Sequence, residues 1–282
     1  MTTLPTYFIS HGGGPWPYMD GPFRQHYDVL EQSLKDIRAE LGDAAKAVLV
    51  ISGHWEERDL AISSAAQPGM EYDYYGFPDY LYHIHYRAPG SPELAERVRA
   101  LLTDAGLPAR LDPARGFDHG TFSVMQPMFP EEAMPVVQLS LHASLDPRLH
   151  LAIGRLLAPL RDEGVVIVGS GLSYHNLRVM DPRAAAPSAQ FDAWLQDSLT
   201  QHSGAQRAAL LAAWADAPAA RLAHPREDHL IPLMVAAGAA EDDAGTCVYH
   251  QPDLLNHLTA SSFRFGPAPV PRSTGQAAGA QI

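Results

Sequence analysis

Cysteine is almost missing from this chain: Cys247 is the only one in 282 residues. No internal disulfide can form, and no multi-thiolate metal site can be built unless a second chain contributes, so any metal would be held by imidazole and oxygen. Basic residues are also scarce. There are 20 Lys and Arg against 32 Asp and Glu, a formal net charge of −12, and no Lys/Arg cluster. Such a surface repels nucleic acid and anionic membranes, leaving a small neutral or zwitterionic substrate as the open option. No uncharged apolar run approaches the length needed to span a bilayer. The start, Met1-Thr2-Thr3-Leu4-Pro5, lacks the basic region and apolar segment of a signal peptide, so a cytoplasmic protein is expected. Nothing in the sequence fixes the number of subunits.

Histidine, by contrast, is plentiful, with 14 in the chain, and three of them share a setting. Tyr7-Phe8-Ile9-Ser10-His11, Val48-Leu49-Val50-Ile51-Ser52-Gly53-His54 and Val165-Val166-Ile167-Val168-Gly169-Ser170-Gly171, the last continuing through Leu172-Ser173-Tyr174-His175, each run from an apolar stretch through small residues to a histidine. Each stretch has the length and β-branched content of a buried parallel strand, and open α/β sheets place their sites at the carboxyl ends of such strands. A lone histidine at a strand end is more often packed than ligating. Three of them suggest a metal centre.

The remaining pattern predicts one α/β domain over 1–265, with a mostly parallel sheet flanked by helices and a site at the strands' carboxyl ends. A helix over 23–41, with Val29, Leu30, Leu34 and Ile37 as its apolar stripe, joins the first two strands into a βαβ unit. Those strands then lie side by side or one strand apart, close enough for His11 and His54 to share an ion. Residues 66–90 read as a long aromatic loop. Its Tyr75 and Phe77 are candidates for contact with a planar substrate, the alternative being a satellite apolar cluster beneath a loop. Ser91-Pro92 opens a second helix that ends at Gly106, a short strand lies near Arg110, and Val136–Leu141 forms another strand. Asp146-Pro147 starts a helix ahead of the third histidine-tipped strand, and 188–237 is mostly helical. Strands are expected around Cys247 and Phe263. The tail, 266–282, lacks apolar periodicity and is expected to be disordered.

A third metal ligand is expected from the C-terminal half, where His224 and His229 flank Glu227 and Asp228. Five positions correspond to about 140° around a helix, so the two histidines would not serve one ion from a regular helix. Spacing alone does not choose between them.

Six stretches in order resemble the class III extradiol ring-cleaving dioxygenases, in the DOPA-dioxygenase-like branch of the LigB superfamily. They are Ser10-His11-Gly12-Gly13, Ser52-Gly53-His54-Trp55, Gly76-Phe77-Pro78 through Tyr86 to Pro92, Gly116-Phe117-Asp118-His119-Gly120, Gly169-Ser170-Gly171 through His175-Asn176-Leu177, and Glu227-Asp228-His229-Leu230-Ile231-Pro232-Leu233. The resemblance implies that His11, His54 and His229 bind the metal, that His175 is the catalytic acid/base, and that His119 lines the substrate site with a catalytic part. It favours His229 over His224. Where family members carry Glu-His, this chain has Asp228 ahead of His229, and the shorter acid either reorients that ligand or joins it.

The resemblance implies Fe(II) as the cofactor and a catechol and O₂ as substrates, with a ring-opened semialdehyde as product. Three protein ligands on one face leave room for both catechol oxygens and for O₂, which suits non-haem Fe(II). Zinc can occupy the same site, since it binds more tightly than Fe(II). His175 is suited by type to take a catechol proton and later return one. His119 would orient the substrate, with Asp118 fixing its tautomer, and His142, which also follows an apolar strand, is a further candidate for the pocket. Two other readings compete: a zinc hydrolase, because three histidines and a water also describe catalytic zinc, and a non-enzymatic binding protein resembling the Memo family.

Overall fold

Apolar runs flanked by helices of matching amphipathicity assemble into a sheet whose interior strands are covered on both faces. The computed structural model describes residues 3–269. In chain order the elements are β1 (Thr6–Ser10), α1 (Asp28–Leu41), β2 (Ala47–Glu57), β3 (Leu60–Ser63), α2 (Pro92–Asp104), β4 (Ala109–Asp112), α3 (His119–Met128) and β5 (Val136–His142). There follow α4 (Pro147–Leu157), β6 (Val165–Gly171), α5 (Ala185–Thr200), α6 (Gly204–Ala212), α7 (Ala220–Ala223), α8 (Ile231–Ala239), β7 (Gly245–Leu254) and β8 (Leu258–Phe265). The strands form one sheet in the order β4-β3-β5-β2-β6-β1-β8-β7.

The middle of the sheet is parallel: β2 pairs with β5 and β6, and β6 with β1. Every residue of β1 and β6 is buried, which is why they read as continuous apolar runs instead of alternating ones. The sheet closes on each side with antiparallel pairing, β8 against β1 and β3 against β5. Strands β1 and β2 lie one strand apart, separated by β6. One continuous apolar core joins sheet and helices, from Leu4 to Phe265. No described helix is long and apolar enough to cross a membrane.

Several elements depart from the sequence reading. The segment Pro22–Tyr27 is a 3-10 helix and α1 proper begins at Asp28. Val29, expected on the apolar stripe, is 52% exposed while Leu30, Leu34 and Ile37 are buried; one residue is a 100° turn, which carries Val29 off the core face. Helix α3 was not foreseen, because nine of its ten residues are buried and so show no periodicity, and because Pro127 lies inside it. Strand β3, four buried residues long, is too short to signal itself. Within 66–90 no strand forms, and the loop is tied down by tyrosines: Tyr72 donates to the Ile84 carbonyl at 2.7 Å and Tyr86 to that of Phe129 at 3.1 Å. Of the tail expected to be disordered, Gly266 donates its N–H to Ala244 at 3.0 Å, and 270–282 lie outside the described residues.

Helix α8 carries the segment before it onto the ends of β6 and β2. All nine of its residues are buried, and the approach depends on a missing side chain: a Cβ at Gly171 would stand 2.0 Å from the His229 carbonyl oxygen, a position where only glycine fits. That carbonyl in turn accepts the Leu172 N–H at 3.0 Å. Gly171→Ala is therefore expected to push the 228–229 segment away from the sheet and to destabilise the fold by about 1–3 kcal/mol. Urea unfolding measures the loss, and metal titration should show weaker binding in the same variant.

Candidate metal centre and active-site pocket

Three elements bring histidines to the carboxyl edge of the parallel strands. His11 follows β1, and its backbone N–H donates to the Gly171 carbonyl at 2.9 Å. His54 sits inside β2, where the register with β5 jumps from Ile51↔Leu139 to Glu56↔Leu141; the extra residues on one side make a bulge that turns the imidazole out of the pleat. His229 lies two residues ahead of α8. The ring centroids of His11 stand 5.0 Å from His54 and 5.3 Å from His229, and one nitrogen from each of the three lies within 4.8 Å of the others. His224, the other candidate in that region, is elsewhere: it is fully buried against Phe191 and Trp214, and its Nε2 donates to the Ser173 carbonyl at 3.0 Å.

The tautomers of two of these rings are set by carboxylates. His229 Nδ1 lies 2.6 Å from Asp228 Oδ2, and His54 Nδ1 lies 3.3 Å from Asp73 Oδ2. Each Nδ1 therefore carries the proton, and each Nε2 presents a lone pair. The two Nε2 atoms face one another at 3.0 Å, an arrangement of two acceptors that is repulsive unless a cation lies between them. It is also the separation of neighbouring donors each about 2.1 Å from one ion. Both nitrogens of the buried His11 ring lack any hydrogen-bond partner, although buried polar atoms are otherwise satisfied almost everywhere. The residues thus fit a metal held by three imidazoles, two of them backed by carboxylates.

Two further histidines border this set. His175 stacks on His229 with centroids 3.5 Å apart and reaches toward Asp228 Oδ2 at 3.8 Å. His119, the first residue of α3, is 3.9 Å from the His54 ring. Its Nδ1 is 2.8 Å from Asp73 Oδ1, and its backbone N–H donates to the same oxygen at 3.1 Å. The partner that fixes the His119 tautomer is thus Asp73, not the adjacent Asp118. Asp118 is turned inward, where it caps α3 through Thr121 N–H, accepts from Ser52 Oγ and pairs with Arg115 at 2.6 Å.

A cavity of about 440 Å³ opens over the histidines and is lined by His11, His54, His119, His175 and His229 together with Tyr75 and Phe77. Tyr75 stands at its mouth, 92% exposed. His142 is a correction: it lies at the far end of β5, outside the cavity, with its Nδ1 2.8 Å from Ser144 Oγ. The register explains this, because β5 runs parallel to β2 and sets His142 opposite Glu57, three residues beyond His54. The member of this cluster that sequence reading missed is Asp73. It carries no motif, and only the fold of the 66–90 loop brings it to His54 and His119.

Comparison with known proteins agrees with this architecture. The sequence pattern described as the catalytic LigB subunit of aromatic ring-opening dioxygenase matches residues 5–266. The chain is 38% identical over 265 residues to a 4,5-DOPA dioxygenase extradiol of Beta vulgaris, covering 92% of this chain and 96% of that one. It is 34% identical to a protein of the same name from Escherichia coli (strain K12), covering 84% and 86%. The crystal structure of an uncharacterized protein from Escherichia coli K12 superposes with a TM-score of 0.75 at 29% identity, over 93% of this chain and all of that one. The chain belongs to the LigB family of ring-opening dioxygenases, in its DOPA-dioxygenase-like branch. It is accordingly an oxidoreductase.

Burial keeps the three clustered imidazoles neutral. Desolvation, reinforced by the neighbouring imidazoles, holds His11 and His229 well below the ordinary histidine range and takes His54 to about 3. His224, outside that cluster, is likewise pushed down to about 3 by burial, only partly opposed by its bond to Ser173. A histidine whose folded value is depressed binds fewer protons folded than unfolded. Its contribution is therefore intact above pH about 6.5 and is lost as pH falls from there toward 3, at about 1.4 kcal/mol per pH unit. Urea unfolding at pH 7 and pH 5 should show His224→Gln losing about 2 kcal/mol less between the two than the parent protein does.

Proposed function

We propose that the chain is an Fe(II)-dependent extradiol dioxygenase that opens a catechol ring with O₂ to a semialdehyde. Beyond family membership, the observation that carries this is the pair of Nε2 lone pairs held face to face at 3.0 Å beside the unpartnered His11 ring. His11, His54 and His229 would hold the ion from one side, and the cavity lies on the other. Fe(II) there would supply the redox chemistry and a chelation point for the diol. Both atoms of O₂ enter the product: the ring bond beside the diol breaks, the hydroxylated carbon becomes a carboxylate and its neighbour an aldehyde.

The chain's own residues handle protons and position. His175 is held below the ordinary histidine value, first by burial and by His119, with the Asp228 charge opposing. It is therefore neutral and ready to accept a catechol proton, and it can give one back when the O–O bond breaks. His119, with its Nδ1 proton engaged by Asp73, leaves Nε2 as an acceptor that can orient a substrate hydroxyl. Burial pushes the Asp73 carboxyl up, but its bonds to His119 and the nearby imidazoles outweigh this and hold it below the usual range. It stays ionised and serves both rings. Zinc would fit the same nitrogens, but a hydrolytic reading has no observation in its favour beyond those nitrogens, and a Memo-like binding role would not require an intact proton-handling pair at the cavity floor.

Anaerobic loading with Fe(II), then addition of oxygen and a set of catechols, should consume one O₂ per ring and yield a yellow product; no oxygen uptake with any catechol overturns the reading. His175→Ala should lower kcat by about 10²–10⁴ while bound iron stays near the parent level; large metal loss would make His175 a ligand instead. Asp73→Asn should weaken metal binding or turnover by about 10–100-fold, seen by competitive chelation and by initial rates.

A further inference from the structure

We infer that the cavity selects catechols bearing an uncharged, apolar substituent of several carbons over catechols bearing a carboxylate. This rests on the ring-opening reading above and adds to it the chemistry of the substrate. Among the lining tyrosines Tyr74 and Tyr174 donate their hydroxyls to the Leu81 and Val179 carbonyls, and the five histidines and Asp73 gather at the floor. Above them one wall is built by the turn between β7 and β8 and the strands beside it, through Leu254, Leu255, Leu258 and Ala260, and another by Leu172, Leu177 and Met180. Leu254 and Leu258 are each 4% exposed, so the first wall is part of the core and does not rearrange freely.

The mouth is apolar as well. Phe23, Tyr75 and Leu177 are 49%, 92% and 70% exposed and all three line the opening. Large apolar side chains left in water around a single opening mark a surface that is covered when a ligand enters. A catechol whose diol sits over the imidazoles directs its remaining ring positions away from the floor, and a substituent there runs along the leucine walls to this rim.

Among the described residues no Lys or Arg lines the cavity. Arg24, next to Phe23, is engaged by Asp28 and Glu31, and the exposed Arg178, next to Leu177, is not part of the lining. The one carboxylate among the described lining residues, Asp73, is engaged by His54 and His119. A carboxylate on the substituent would leave water with no cation to meet it, which is costly. An alkyl chain loses nothing and gains contact along its length.

The test is anaerobic titration of the Fe(II)-loaded protein, which reads binding without turnover, followed by initial rates in oxygen. The probes are 4-methylcatechol, 4-butylcatechol, 3,4-dihydroxybenzoate and 3,4-dihydroxyphenylalanine. Affinity should rise up to about four-fold for each methylene added between methyl and butyl. Both carboxylated probes should bind at least about ten-fold more weakly than 4-methylcatechol, with kcat/KM in the same order. In Leu177→Arg, at an exposed position that does not test folding, the disadvantage of the carboxylated probes should shrink about ten-fold. Equal or tighter binding of the carboxylated probes, no gain with chain length, or an unchanged ratio in Leu177→Arg overturns the substrate assignment while ring opening stands. If none of the four is bound or consumed, the ring-opening reading itself falls.

Discussion

Two imidazole nitrogens that both present lone pairs, fixed 3.0 Å apart, are the constraint around which the rest of this protein is arranged. The repulsion would disappear if either ring changed tautomer, and a carboxylate behind each ring opposes that. Asp228 holds His229 and Asp73 holds His54. Each carboxylate also reaches a histidine of the pocket, His175 from Asp228 and His119 from Asp73. The site therefore consists of two similar arms, each with one acid between two imidazoles, closed by the buried His11.

The fold serves this arrangement by bringing backbone unusually close to backbone. Gly171 lets the His229 carbonyl settle against β6, and the bulge in β2 carries His54 out of the pleat toward it. Both devices sit at the carboxyl edge of the parallel strands, where the chain leaves the sheet and its backbone groups are free to meet other segments. Arg226 adds a tie on the outside, donating to Glu56 Oε2 at 2.6 Å and lying 3.6 Å from Asp228 Oδ1. The ligand-bearing segment before α8 is thereby linked to the strand that carries His54.

Much of this was legible in the residues. Strands β1, β2 and β6 announce themselves because burial on both faces makes them uniformly apolar, and the histidines at or near their ends follow from that. His11, His54, His119, His175 and His229 do converge on one cavity. What stayed hidden has a common cause: it depends on contacts between distant segments. Asp73 looks like any loop acid until the fold places it against two histidines. Asp118 seems the natural partner for its neighbour His119, yet helix α3 starts between them and directs the two side chains apart. His142 repeats the strand-then-histidine pattern and still misses the pocket, because the pairing register, which no local pattern encodes, sets it opposite Glu57 and past His54.

The three imidazoles at the floor come from the first strand, the second strand and the segment preceding the last helix. During synthesis, a chain that has not yet delivered residue 229 from the ribosome holds two of the three and cannot close the cage. Under the proposed function, loading with the ion would then follow completion of nearly the whole polypeptide, making metal capture one of the last events in maturation.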